Sequence, residues 1–167
     1  MPKNREFLPI EMGIYFMIYS AEYIYNFLQL TPKIGTSGQP TIDQFIDIKE
    51  LKYQLVVNLL PEGSIKFLPE EQQIVESLGM EYIHIPVNWN NPTLADLQKF
   101  FAVMEANQDK NIFIHCAANI RVAVFMYLYR CLKQGMNEKE AKADLEKSWL
   151  PNQVWKQFID EAMENCK

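Results

Sequence analysis

The sequence predicts an α/β fold in which a central, mostly parallel β-sheet is flanked by helices. Short apolar segments rich in β-branched residues alternate with longer segments of helical periodicity. Because strands that alternate with helices pair in parallel, this order favours one sheet covered by helices. The chain has 167 residues, 49% of them hydrophobic, which is enough to bury the core of a single globular domain.

The first half of the chain contributes two strands and two helices to this prediction. A short extended piece at 34–36 leads into the turn-forming stretch SGQP, and Thr41 then caps a helix over 42–51. The apolar segment 53–60 (YQLVVNLL) predicts a buried strand that stops at a proline. A helix over 68–78 follows and ends before a glycine, which readily forms a left-handed cap.

The second half continues the alternation and then becomes helical. The segment 81–87 (EYIHIPV) alternates like a strand, and Thr93 caps a helix that reaches Asn107. A third strong strand is predicted at 111–115. Three helices finish the chain, separated by Gly135 and Pro151 and predicted at 120–134, 138–148 and 152–165.

Composition excludes several classes of function. A net charge of -5 and a pI near 5.1 argue against nucleic acid as a partner, since nucleic-acid-binding domains usually carry a basic stripe. Three cysteines cannot all pair, and no Cys-x-x-Cys or Cys/His cluster indicates zinc, so we expect neither a metal nor a cofactor. The expected location is the reducing cytoplasm, where an unusual cysteine is more often catalytic than structural.

The N-terminus carries an apolar run, Phe7–Tyr19, behind two basic residues. Pro9 and Glu11 interrupt the run, no small-x-small cleavage site follows, and it is too short to span a membrane. We therefore expect no membrane partner and interpret residues 1–16 as an extension that forms a short helix or is disordered. The aromatic-rich segment 15–27 is expected to be a packing surface of a helix.

The strand-to-helix junction in IFIHCAANIRVAVF, residues 112–125, is the strongest functional signal. Cys116 ends a predicted strand, at the sheet edge where ligands bind in α/β proteins. Backbone N–H groups of residues 117–121 and the helix dipole would favour the thiolate form of a cysteine there. Arg121 adds a planar fork of donors suited to a tetrahedral oxyanion. This combination is typical of a site for phosphate monoesters.

Several motifs resemble the cysteine-dependent protein tyrosine and dual-specificity phosphatases, and more closely a bacterial branch described as beta-lactamase-hydrolase-like or predicted protein tyrosine phosphatases. These motifs are TSGQPT at 36–41, VVNLLPE at 56–62, LGMEYIHIPV at 78–87, NPT at 91–93 and HCAANIRVAVFMYLYR at 115–130. The resemblance implies one phosphatase-like domain at 17–167, a phosphorylated substrate or an oxyanion as ligand, and a cysteinyl-phosphate intermediate. It implies Cys116 as nucleophile and Arg121 as phosphate clamp, beside the loop residues Ala117, Ala118, Asn119 and Ile120.

The loop departs from the usual pattern of that family. Four residues rather than five separate Cys116 from Arg121, and none of the four is glycine. Asn119 is the loop residue that best tolerates a left-handed conformation. Val122 occupies the position where a Ser or Thr usually helps the thiolate to leave. A shorter loop has fewer amides to offer, so weaker phosphate binding is expected.

The general acid is also missing from its expected place. The family implies an Asp in the loop 86–93, but PVNWNNPT contains asparagines and no carboxylate. Asp96 is the nearest acid, and we interpret it as a helix-start residue because acids are common there. Low activity, confined to good leaving groups, is therefore expected, since general acid catalysis contributes roughly 10²- to 10⁴-fold.

Two alternatives remain open at this point. Rhodanese loops are also led by a cysteine and are shorter than phosphatase loops, so the four-residue spacer also fits sulfur transfer. A pseudophosphatase that binds an anion without turnover would account for the missing acid and hydroxyl. Four other polar residues near the motifs are interpreted as structural or surface groups: Gln39, His84, His115 and Arg130.

Overall fold

The computed structural model describes residues 6–9 and 15–166, with side chains from residue 19 onward. Within these residues the chain forms seven strands and six helices. The strands are β1 (Glu6–Pro9), β2 (Tyr15–Ile18), β3 (Leu28–Thr31), β4 (Ile34–Ser37), β5 (Leu55–Asn58), β6 (Glu81–His84) and β7 (Ile112–His115). The helices are α1 (Ile42–Glu50), α2 (Glu71–Ser77), α3 (Leu94–Ala106), α4 (Ile120–Leu132), α5 (Glu138–Ser148) and α6 (Gln153–Asn165).

The central sheet has five strands in the order β3-β4-β7-β5-β6. β4, β7, β5 and β6 are parallel, and only the edge strand β3 runs antiparallel to its neighbour. The predicted α/β class with a mostly parallel sheet is therefore confirmed. The sequence prediction missed β3, because its four residues, LQLT, are short, mostly half-exposed and followed directly by a proline.

The strand register lines up four polar residues at the carboxyl end of the sheet. His115 of β7 lies opposite Ser37 of β4 on one side and Asn58 of β5 on the other, and Asn58 lies opposite His84 of β6. Cys116 follows His115 directly, so the cysteine leaves the sheet at its middle strand. The fold thus places Cys116 at the centre of the edge where parallel sheets bind ligands.

The predicted helix caps at Thr41, Thr93 and Gly79 are confirmed. Thr41 forms a capping box with Gln44 at the start of α1, and the Thr93 hydroxyl accepts a hydrogen bond from the backbone N–H of Asp96 in α3. Gly79 has a φ of 81° directly after the last turn of α2, as a left-handed cap requires. The strands are shorter than predicted, because apolar segments such as 53–60 continue past the last paired residue.

Two clusters of apolar side chains cover opposite faces of the sheet. Val57 and Ile114 face the larger cluster, which includes side chains of α3, α4, α5 and α6. Val56 and Phe113 face the smaller cluster, packed by α1 and α2. This alternation follows from the two-residue period of a strand buried on both sides. α4 lies in the larger cluster with nine of its thirteen residues buried, so the helix that follows Cys116 is rigidly held.

The N-terminal prediction was wrong where it can be compared. β1 and β2 form an antiparallel pair, Glu6 opposite Ile18, rather than a helix or a disordered extension. Aromatic and branched residues in both segments favour strands. The aromatic segment 15–27 continues from β2 into turns, so it is not a helix surface either. Residues 1–5 and 10–14 lie outside the described part, and no helix within that part is long and apolar enough to cross a membrane.

Candidate functional site

The loop 116–119 joins the middle strand β7 to the buried helix α4. Cys116 is fully buried at its start. Asn119 precedes α4 with φ 64° and ψ 18°, a left-handed conformation that asparagine tolerates better than most residues. The sequence prediction for Asn119 is thus confirmed. Without a glycine, the loop uses this asparagine for its reversal.

The Asn119 side chain also fixes the loop to the neighbouring strand. Its Nδ2 donates to the backbone oxygen of Asn26 at 2.9 Å and to the Thr36 hydroxyl at 3.0 Å. Asn26 returns a hydrogen bond from its own Nδ2 to the Ala118 carbonyl at 3.1 Å. The two asparagines therefore hold the end of the loop reciprocally.

The backbone after β4 passes close to the outer side of the loop. The N–H of Gln39 donates to the Ala117 carbonyl at 3.0 Å. Gly38 pairs with Ala118, and a Cβ atom at Gly38 would lie 2.7 Å from the Ala117 oxygen and 2.6 Å from the Tyr25 ring. Glycine is therefore required at position 38, because any side chain would push the SGQP turn away from the cysteine loop.

The carbonyls of the loop accept hydrogen bonds from these neighbours. Most backbone N–H groups of the loop, in contrast, have no acceptor in the described part of the chain. No hydrogen-bond acceptor among the described residues serves the backbone N–H groups of Ala117, Ala118, Ile120 and Arg121. These donors surround the start of α4, where the helix dipole adds positive potential. Such an arrangement is suited to an anion.

Arg121 lies in the first turn of α4 and interacts with Cys116. Burial lowers the pKa of Arg121, while the charge of Cys116 and a hydrogen bond with it act in the opposite direction. The Nε of Arg121 donates to the Val87 carbonyl at 2.9 Å, and its guanidinium lies 5.3 Å from the centre of the Trp89 ring. Arg121 is itself buried, with 8% of its surface exposed.

The loop 86–93 is anchored by Trp89. The Trp89 ring packs 5.3 Å from both Trp149 and Trp155, measured between ring centres, and its carbonyl accepts a hydrogen bond from Trp155 Nε1 at 3.1 Å. The loop thus connects the Arg121 side chain to α6. Its position beside the cysteine loop agrees with the expectation from the sequence.

The loop 86–93 contains no carboxylate at all. The three asparagines of the loop, Asn88, Asn90 and Asn91, are all exposed. Asp96 lies in the first turn of α3, and the Thr93 hydroxyl donates to its carboxylate at 2.7 Å. This contact agrees with the interpretation of Asp96 as a helix-start residue.

Sequence reasoning missed a buried polar network beneath the cysteine loop. Glu71 Oε1 lies 2.5 Å from His115 Nε2, and its Oε2 accepts a hydrogen bond from Gln39 Nε2 at 2.7 Å. Glu71 and His115 are both fully buried. The sequence does hold a signal for Glu71, because it lies four residues before the buried Val75 and so occupies the apolar face of α2.

The other polar candidates are structural, as predicted, except Arg130. His84 Nε2 lies 2.7 Å from the Leu60 carbonyl, and His115 is part of the buried network. Arg130 was predicted to be a helix-surface charge, which is wrong: it is buried and pairs with Asp144 of α5. Packing of α5 against α4 covers it, and a sequence does not reveal which helix covers another.

Comparison with known proteins gives a consistent result. A family model described as DSP-PTPase phosphatase fused to NAD+ kinase matches residues 33–164. The Beta-lactamase hydrolase-like protein of Xylella fastidiosa is 27% identical over 119 residues, which is 70% of this chain. The match covers 27% of that relative, so the chain spans about a quarter of its length.

Solved structures share the fold. A DUF442 protein from Shewanella putrefaciens CN-32 superposes with a TM-score of 0.77 and 33% sequence identity, covering 86% of this chain and 95% of its own. The core catalytic domain of the PP-IP phosphatase SIW14 from S. cerevisiae, in complex with citrate, superposes with a TM-score of 0.71 at 20% identity. That comparison covers 85% of this chain and 88% of the yeast domain.

Proposed function

Since this chain belongs to the DSP-PTPase phosphatase family, we propose that it is a cysteine-dependent hydrolase of phosphate monoesters with low activity. Cys116 is the nucleophile, and Arg121 clamps the phosphate together with the loop amides. The catalytic domain is residues 17–167, preceded by an extension at 1–16. A reducing compartment such as the cytoplasm suits this proposal, because all three cysteines are free and the nucleophile must remain a thiol.

The observation that carries the proposal is the set of unused amides around Cys116. The N–H groups of Ala117, Ala118, Ile120 and Arg121 have no acceptor among the described residues, and Arg121 interacts with the thiol. A tetrahedral oxyanion centred over the sulfur would accept from these donors and from the guanidinium.

The reaction would proceed in two displacements. In the first, the Cys116 thiolate attacks phosphorus, an S–P bond forms, the P–O bond to the leaving group breaks, and the departing oxygen takes a proton from water. In the second, water attacks phosphorus, loses a proton to the solvent, and the S–P bond breaks to release phosphate and the thiolate. Arg121 and the loop amides hold the negative oxygens through both steps.

The Arg121 guanidinium has donors left for an anion. Only its Nε is engaged by the Val87 carbonyl, so its terminal N–H groups are the donors for a phosphate oxygen. The Trp89 ring, 5.3 Å from the guanidinium, supports the planar group beside Cys116.

A phosphate-binding pseudophosphatase is the second candidate, favoured by two observations. Val122, at the position of the missing hydroxyl, is fully buried and offers no hydrogen bond to a departing thiolate. The exposed asparagines of the loop 86–93 supply no proton. Such a protein would bind the same anion at the same amides without turnover.

One set of assays separates the candidates. The purified chain is incubated with a chromogenic aryl phosphate, with thiosulfate and cyanide in parallel, and Cys116 is alkylated with iodoacetate in the presence and absence of phosphate. Aryl phosphate hydrolysis with phosphate protection of Cys116 is the expected result. Protection without hydrolysis would select the pseudophosphatase, and thiocyanate formation would select a sulfur-transfer enzyme instead.

A further inference from the structure

We propose that Glu71 is a positioning residue for the cysteine loop, holding the start of the loop through His115 and Gln39. The inference rests on the proposed function for its catalytic consequence, but the structural link is independent of it. Glu71 comes from α2, far in sequence from Cys116, and touches neither the thiol loop nor Arg121 in any described hydrogen bond. Glu71 therefore acts on the loop through His115 and Gln39.

The first contact of Glu71 is with His115, the residue directly before Cys116. Glu71 Oε1 lies 2.5 Å from His115 Nε2, and the other ring nitrogen of His115 lies 3.4 Å from the Cys116 carbonyl. Both side chains are fully buried. A carboxylate that accepts the Nε2 proton fixes the ring orientation of the histidine, as acidic partners of histidines do in other sites. The peptide bond that follows Cys116 is thereby held in one orientation.

The second contact of Glu71 is with Gln39, whose backbone reaches the cysteine loop. Glu71 Oε2 accepts from Gln39 Nε2 at 2.7 Å, and the same amide group donates to the Pro40 carbonyl at 3.2 Å. This fixes Gln39 in the turn after β4, where its backbone N–H donates to the Ala117 carbonyl at 3.0 Å. The Ala117 carbonyl is thereby engaged, while the Ala117 N–H keeps no acceptor among the described residues.

The cost of burying this network supports a functional role for it. A carboxylate with no exposed surface is rare unless it is paired and hydrogen-bonded. Both oxygens of Glu71 have donors, and the two residues that supply them contact the carbonyls of Cys116 and Ala117. A carboxylate accepts from both at once, whereas a neutral amide offers only one oxygen. Among the described residues, no other ion pair has both side chains fully buried.

The test compares Glu71→Gln with Glu76→Gln, which makes the same change at an exposed position of the same helix. Amide hydrogen exchange is followed by NMR at Gln39, whose N–H reaches the loop, and at Gln54, whose N–H donates to the Asn111 carbonyl at the opposite end of the sheet. Loss of one charged hydrogen bond should speed exchange at Gln39 by about tenfold in Glu71→Gln only. Exchange at Gln54 should stay unchanged.

Activity is measured on the same samples. If the loop is displaced, kcat/KM for an aryl phosphate should fall about 10- to 100-fold in Glu71→Gln and remain at the wild-type value in Glu76→Gln. The low-field NMR signal of the His115 Nε2 proton should move upfield in Glu71→Gln, because a neutral amide oxygen is a weaker acceptor than a carboxylate. Gln39→Met, at a half-buried position, should leave that signal at its wild-type position and still speed exchange of the backbone N–H at position 39, so it serves as the test if Glu71→Gln does not fold.

The outcomes separate this proposal from the proposed function. Unchanged exchange at Gln39, or an equal rise at Gln39 and Gln54, would mean that Glu71 supports general stability only, and the positioning role would be overturned. If the wild-type chain hydrolyses no aryl phosphate but Gln39 exchange still responds to Glu71→Gln, the proposed function fails and the positioning role stands.

Discussion

The cysteine loop 116–119 and the loop 86–93 both contact Arg121, but different contacts hold them and they carry different polar groups. Side chains and backbone from several parts of the fold fix the cysteine loop, and the N–H groups of Ala117 and Ala118 have no acceptor among the described residues. The loop 86–93 is held through Trp89, and its polar side chains are three exposed asparagines. One loop presents backbone donors without acceptors, and the other contains no carboxylate.

The difference shows that anion binding and proton donation depend on different groups in this fold. The donors of the cysteine loop are backbone groups, so they survive almost any change of side chain. The proton donor is a single side chain, and one substitution removes it without disturbing the scaffold. The predictions below test each loop in turn.

Cys116→Ser is expected to have the largest effect. A serine hydroxyl is a far weaker nucleophile than a thiolate, so hydrolysis of an aryl phosphate should fall on the order of 10⁴-fold or more. Phosphate binding should persist, because the loop amides and Arg121 are unchanged. Cys131→Ser, at a half-buried thiol in the same helix, is the control and should keep wild-type turnover. Hydrolysis by Cys116→Ser at the wild-type rate would exclude the covalent mechanism.

Arg121→Lys comes next in size. Lysine keeps the charge but loses the planar fork, the hydrogen bond to the Val87 carbonyl and the contact with Trp89. We expect kcat/KM to fall about 10²- to 10³-fold, as when an oxyanion donor is removed. The comparison is Arg130→Lys, nine residues further along α4, which should lower the melting temperature through its pair with Asp144 but not the activity. Equal loss of activity in both variants would show that Arg121 acts only through stability.

Asn88→Asp tests whether the second loop lacks only its acid. Asn88 follows Val87, whose carbonyl binds Arg121, so a carboxyl group there lies near the site along the chain. Its side-chain oxygen accepts the Asn90 N–H at 2.9 Å, and aspartate keeps that bond. Alkyl phosphates should be hydrolysed up to about 10²-fold faster, whereas aryl phosphates with acidic phenols should change little.

The matched control for Asn88→Asp makes the same charge change elsewhere in the loop. Asn91→Asp is also exposed but lies further from Val87, so alkyl phosphates should show no gain. The wild-type rate is expected to fall steeply as the pKa of the leaving group rises, and Asn88→Asp should flatten that slope. A wild-type rate that is independent of the leaving group would mean that a proton donor is already in place.

Local chemistry made much of the fold and site predictable. Thr41 and Thr93 cap helices because their hydroxyls satisfy free amides in the first turn, which depends on a few neighbouring residues only. Asn119 was identified in the same way, since its left-handed conformation is a property of the residue itself. The alternation of strands and helices then predicted a parallel sheet, with Cys116 at the carboxyl end of one of its strands.

The missed features depend on contacts between distant segments. Glu71 is buried because His115 and Gln39 fold against it, and those residues are 44 and 32 positions away in sequence. Arg130 is buried because α5 packs over it. The pairing of β1 with β2, and of β3 with β4, likewise depends on which short segments meet. Propensity alone does not decide such contacts.

The smallest effect is expected for Asp96→Asn, which separates a helix-start residue from a displaced general acid. The Thr93 hydroxyl donates to the Asp96 carboxylate at 2.7 Å, and the negative charge favours the start of α3. Replacing the carboxylate by an amide should therefore cost about 0.3–1 kcal/mol in the free energy of unfolding, measured by urea denaturation. Turnover of aryl and alkyl phosphates should remain at the wild-type values, because this oxygen is engaged with Thr93 rather than aimed at the thiol. Selective loss of alkyl phosphate turnover, with aryl turnover preserved, would instead make Asp96 the acid that the loop 86–93 lacks, and the contrast between the two loops would then lie in position rather than in chemistry.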